Sequence, residues 1–132
     1  MIGTKDIEEI LIGDLSEVFD VKYIYTTDDI PAVIVSRERI VIRPKEIRTE
    51  TYFNKCFVEV NLCVPDLSGF PDNIRLQAVE RTFLPLLDRV GRFDDTEYRY
   101  GVESHQILGD KDLECHYVNA RLLFEILNTI NK

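Results

Sequence analysis

Residues 56–64 carry the clearest alternation in the chain: Cys56, Val58, Val60, Leu62 and Val64 on one side, Phe57, Glu59, Asn61 and Cys63 on the other. A period of two over nine residues predicts a half-buried strand whose aliphatic side faces a helix. The same pattern makes it the central strand of its sheet. Before it, Ile7, Ile10, Leu11, Leu15 and Val18 recur at helical spacing and predict an amphipathic helix with Thr4 as cap and Asp6 near its positive end. Gly13 weakens that helix without ending it. Short strands are expected at Val21–Tyr25, Ala32–Val35 and Arg39–Arg43, separated by the polar turn Thr26–Pro31 and by Ser36-Arg37-Glu38. Pro44 cannot donate to a ladder and ends the third of these. Lys45–Thr51, charged and aperiodic, reads as an exposed loop or strand extension.

After the long strand, the loop Pro65–Asp72 leads into a second helix capped by Asp72, with Leu76, Val79, Phe83, Leu87 and Val90 as its buried stripe. Pro85 predicts a kink or restart there, and Gly91 a C-terminal stop. Glu97–Leu108 and Leu113–Ile126 form a last unit around the turn residues Gly109-Asp110-Lys111-Asp112. Residues 113–126 alternate for six steps, which favours a long strand, although their composition also suits a helix. Asn128–Lys132 reads as a tail. The order is α-β-β-β-α-β-β: an α+β fold, a mainly antiparallel sheet of about four to six strands with two helices on one face, in a single domain 1–132.

Composition narrows the class. The 132 residues are 45% hydrophobic, enough for a core. A net charge of −8 repels phosphate and disfavours tight nucleic-acid binding. Arg37, Arg39, Arg43, Lys45 and Arg48 form the one candidate basic patch, the plainer alternative being a solvated strand edge. Three cysteines (Cys56, Cys63, Cys115) in no CxxC spacing point to a reducing compartment. Neither a signal peptide nor a run of about 20 apolar residues is present, so a cytoplasmic protein away from membranes is expected.

Chemistry is sparse. The chain has no phosphate-binding glycine loop and no nucleophile elbow. Pro65-Asp66 is followed by no Asp/Glu-x-Lys triplet, which argues against a nuclease of that type. If the hairpin closes on Asp110-Lys111, His105 falls opposite His116. That pair is either part of a metal site lacking further ligands or a cross-strand polar contact. Cys56, among aliphatic neighbours, reads as inert packing. The acidic pairs Asp28-Asp29, Asp94-Asp95 and Asp110/Asp112 read as solvated turns. In the same register Tyr98, Tyr100 and Tyr117 share a sheet face, which suits a protein–protein contact or ordinary sheet packing. No cofactor is called for.

The string Phe57–Leu67, followed by Asp72-Asn73-Ile74-Arg75-Leu76 opening a helix, resembles small neck and tail-completion proteins of long-tailed bacteriophages, of the tail-terminator type. The resemblance spans roughly residues 4–126 as a pattern and carries no catalytic signature. It implies a non-enzymatic structural protein, forming a ring, often hexameric, that caps the tail tube and joins it to the head. Partners would be further copies and other tail or neck proteins, in the cytoplasm of a bacterial host or in the virion. An acidic lumen suits a channel that conducts DNA without gripping it. Arg43, Lys45 and Arg48, in and beside Lys45–Thr51, join the three tyrosines as the expected interaction surface. The competing expectations are a small protein-binding adaptor and an enzyme built from His105, His116 and loop acids.

Overall fold

The computed structural model describes residues 1–128. The fold is α+β, with two helices on one face of a six-stranded sheet. Helix α1 spans Thr4–Leu15 and α2 Asn73–Thr82. The strands are β1 (Ile24–Thr26), β2 (Arg39–Arg48), β3 (Phe53–Pro65), β4 (Arg89–Phe93), β5 (Thr96–Asp110) and β6 (Cys115–Leu127). Across the sheet they run β1-β2-β3-β6-β5-β4, antiparallel except for the β1/β2 pair. Among the described residues, no helix is long and apolar enough to cross a membrane.

β3 lies in the middle, paired along its length with β6. Its residues Cys56, Val58, Val60, Leu62 and Val64 are buried against both helices, as their alternation predicts. From β6 the alternate residues Val118, Ala120, Leu122, Phe124 and Ile126 join the same core, so residues 113–126 resolve as strand rather than helix from Cys115 on.

The helices differ from expectation at their ends. Gly3, not Thr4, is the N-cap of α1, and the Asp6 carboxylate takes the Gly3 N–H at 2.8 Å. α1 passes Gly13 but stops at Leu15, which leaves Val18 exposed. α2 starts where expected, the Asp72 side chain accepting from the Arg75 N–H at 3.1 Å. It ends at Thr82; Leu84–Leu86 is a 3-10 turn around Pro85. Phe83 and Leu87 still reach the core, but Val90 is 78% exposed on β4. Gly91 stops no helix: it pairs with Tyr98 across β4 and β5.

Four further expectations are corrected. Ala32–Val35 is not a strand. It lies over the sheet face opposite the helices, where Val35 packs with Val41, Cys63 and Cys115 and donates its N–H to the Leu113 carbonyl at 2.9 Å. Glu38, just beyond it, ties this strap to α2 through two bonds to the Arg75 guanidinium at 2.6 and 2.8 Å. Val21–Tyr23 is a 3-10 turn, and the first strand is Ile24–Thr26. Pro44 does not end β2, which continues through an irregularity between Pro44 and Ile47. Because β1 pairs only with Ile40–Ile42, Pro44 sits on an open edge where a missing N–H costs no sheet bond on that side. Asn128 is no tail residue: its N–H bonds the Tyr52 carbonyl and its side chain the Glu50 carbonyl. The rest of the expected tail, 129–132, lies outside the described residues.

Gly91 is required by its partner. A Cβ there would meet the Tyr98 ring, with Cζ at 2.5 Å. Tyr98 is itself buried and stacked on Phe124, so it cannot yield. Gly91→Ala is expected to destabilise the protein by about 1–3 kcal/mol, the usual cost of overpacking, and to do so by releasing the β4 end of the sheet. Hydrogen exchange will show protection lost in Arg89–Phe93 ahead of β3 and β6.

Candidate functional site

Correct strand register decides which polar residues meet. The β5/β6 hairpin closes on a four-residue loop, 111–114, in which Glu114 takes φ 52° and Leu113 donates its N–H to the Asp110 carboxylate at 3.2 Å. Asp110 therefore pairs with Cys115, and His105 faces Ala120 instead of His116. The histidines go separate ways. His105 Nδ1 lies 3.0 Å from Glu80 on α2, and His116 Nδ1 lies 2.7 Å from Asp66 in the loop after β3. Among the described residues no three His, Cys, Asp or Glu side chains gather as a metal site would require.

The tyrosines are parted by a bulge between Val102 and Ser104, which turns the two ends of β5 to opposite faces. Tyr98 and Tyr100 are buried on the helix side, stacked on Phe124 at 5.2 and 5.4 Å between ring centroids. The Tyr100 hydroxyl donates to Asp14 on α1 at 2.7 Å, and Arg89 holds the other Asp14 oxygen at 2.7 Å. These two rings offer no surface. Tyr117 is on the opposite face of the sheet.

That opposite face holds a polar cavity. Arg39, Val41 and Arg43 of β2, Glu59, Asn61 and Cys63 of β3, and Cys115, Tyr117 and Asn119 of β6 all point outward. With Ile30 from the strap and Leu113 from the hairpin loop they enclose a cavity of about 220 Å³. Asn119 donates to Asn61 at 2.6 Å across the strands. Arg39 bonds the Pro31 carbonyl at 3.2 Å, while its Nε, and that of Arg43, are buried without a partner among the described residues. The Cys63 thiol is held below its usual range, chiefly because Cys115 donates a hydrogen bond to it and also because Arg39 and Arg43 stand near. Cys115 is raised correspondingly by keeping that proton and by burial. Cys56 lies on the helix side, pushed up to about 11 by burial, and its thiol donates to the Lys45 carbonyl. It matches the inert reading.

The expected basic patch does not hold together. The Arg37 guanidinium stacks over Tyr23 at 3.5 Å, and Arg39 is buried. Lys45 pairs with Glu59 at 3.3 Å and Arg48 with Glu46 at 3.7 Å. A groove beside them is lined also by Lys55, which pairs with Glu50, and by Arg121, which lies over the Phe57 ring at 4.0 Å. Alternating acids thus neutralise the cations of this strand edge.

Sequence reasoning missed the outward convergence of Arg39, Arg43, Asn61 and Asn119. Its signal was present in the same alternation that located the core, read from the other side of three strands. Placing the strands side by side required the register.

The sheet also has two half-open edges. β4 pairs with β5 only over Thr96–Tyr100, leaving Gly101–Asp110 without a neighbour on that side among the described residues. β1 likewise leaves β2 open from Arg43 to Arg48. No family model matches the chain, and no curated protein matches it.

Proposed function

We propose that this chain is a non-enzymatic structural protein of phage or prophage tail assembly, working by self-association into a closed ring at the head–tail junction. The observation that carries the reading is the pair of half-open edges, on opposite sides of one sheet. Unlike edges that pair between copies make a heterologous contact, which generates a ring when the rotation closes. Backbone pairing along the two edges would carry the contact, since Lys45, Arg48 and Glu103 are each ion-paired within the chain. Ile107, 42% exposed, adds an apolar contact on β5. The net charge of −8 suits a ring through which DNA passes. Other tail or neck proteins would cap its two surfaces, in the bacterial cytoplasm and then in the virion.

The open β5 edge also supports a second reading, an adaptor that accepts one strand from a partner protein. Light scattering after gel filtration separates the two. Self-assembly predicts a mass that grows with concentration toward a fixed multiple of the 15.4 kDa chain. Ile107→Lys, which places a charge on the edge, should return the protein to monomer with its circular dichroism unchanged. A wild-type chain that stays monomeric at every concentration rules out self-association and leaves the adaptor.

A further inference from the structure

We propose that the cavity on the helix-free face of the sheet is a binding site for a monocarboxylate with a short aliphatic chain. Three observations converge on it. The first is a pair of arginines inside a chain of net charge −8. Arg39 is 5% exposed, and its Nε, like that of Arg43, is buried with no hydrogen-bond partner among the described residues. Buried donors are almost always satisfied in folded proteins, and an unsatisfied guanidinium is costly. Arg43 Nε is closed to solvent, so a carboxylate meets the planar fork of its Nε–H and Nη–H only when the half-exposed side chain turns toward the cavity.

The second is the local charge. Of the two acids lining the cavity, Glu59 is paired with Lys45 at 3.3 Å. Two guanidiniums therefore face one uncompensated carboxylate, Asp110, which leaves a single positive charge. That balance fits a monoanion. A phosphate dianion would exceed it.

The third is the rest of the lining. Asn61 accepts from Asn119 at 2.6 Å through its oxygen, which leaves its own NH2 to donate. Ile30, Val41 and Leu113 supply an apolar wall. At about 220 Å³ the space admits a small acid or the last residue of a peptide, but not a nucleotide.

The probe is butyrate, followed by the side-chain N–H resonances of Arg43 and Asn61 in the wild-type protein. Saturable shifts at millimolar concentration, absent with butyramide, are expected. Arg43→Gln keeps a polar side chain at a half-exposed position and should weaken butyrate about tenfold. A short peptide ending in leucine, as free acid and as amide, identifies the source. Tighter binding of the free acid than of butyrate indicates a chain terminus, and the reverse a small metabolite. The proposal fails if inorganic phosphate binds as well as butyrate, if butyramide binds equally, or if the shifts rise linearly with salt. The wild-type mapping decides the question even where Arg43→Gln does not fold.

Discussion

Phe124→Ala is expected to lower the stability of this fold by about 4 kcal/mol. Phe124 sits in β6, paired with Cys56 of β3 on one side and Tyr100 of β5 on the other. It is completely buried, and its ring stacks on both Tyr98 and Tyr100. Alanine removes the apolar area and leaves a cavity as well. Collapse into that cavity is blocked from the β5 side, because the Tyr100 ring is anchored through its hydroxyl to Asp14 at 2.7 Å. On the β3 side, Cys56 is too small to fill it. For a chain of this size the loss corresponds to a fall in Tm of about 15 °C. Phe124→Leu, which keeps most of the volume, should cost about 1 kcal/mol. Urea titrations of the two variants check the contrast. Equal, small losses from both would mean that Phe124 is not packed in the core between β3 and β5 as described.

The elements that sequence patterning located are those with one face buried along their whole length. Cys56–Val64 and 115–126 each pair with a neighbour on both sides and face the helices, so alternation there reports tertiary structure directly. Patterning failed where a short-range rule met a long-range constraint. Val90 continued the spacing of α2, but Pro85 had already broken the helix, and β4 was claimed by pairing with β5. The turn that makes this pairing possible is Asp94-Asp95, both residues at positive φ, 49° and 63°. Two left-handed residues are the geometry of a tight hairpin, usually announced by Asn-Gly or Asp-Gly; a pair of aspartates without glycine hides it. Gly109-Asp110-Lys111-Asp112 erred the other way. The expected two-residue turn placed every β5 residue opposite the wrong β6 residue, and the actual four-residue loop parts His105 from His116, while the bulge between Val102 and Ser104 puts Tyr117 on the face opposite Tyr98 and Tyr100. The outward polar cavity depended on the same register across three strands. Its residues were therefore readable singly but not as a group.

Alkaline pH should unfold the protein, and Tyr100 should set much of the slope. Its hydroxyl is raised well above its usual value, first by burial and then by the hydrogen bond it donates to Asp14. In the unfolded chain the same group titrates near 10. The folded state therefore holds a proton that the unfolded state releases. The stabilisation is complete below about pH 10 and is lost as the pH rises further, by about 1.4 kcal/mol per pH unit for each such proton. Burial of the Cys56 thiol, pushed up to about 11, acts with the same sign and begins its loss near pH 9. Tyr98 and Tyr117, also raised chiefly by burial, add to it. Cys63 and Cys115 are shifted in opposite directions by one shared hydrogen bond, so their contributions oppose each other. Tyr100→Phe isolates the main group. At pH 7 it should cost only about 1 kcal/mol, since Asp14 keeps its 2.7 Å bond to Arg89 and is not left as an uncompensated buried charge. Above pH 10 the variant has no phenol to ionise, so its stability should fall less steeply than that of the wild type, and the two curves should converge and then cross. Urea unfolding measured from pH 8 to 11 reads both slopes. Parallel curves above pH 10 would show that the Tyr100 proton is not held by the fold, and with it would go the anchor that fixes α1 against β5.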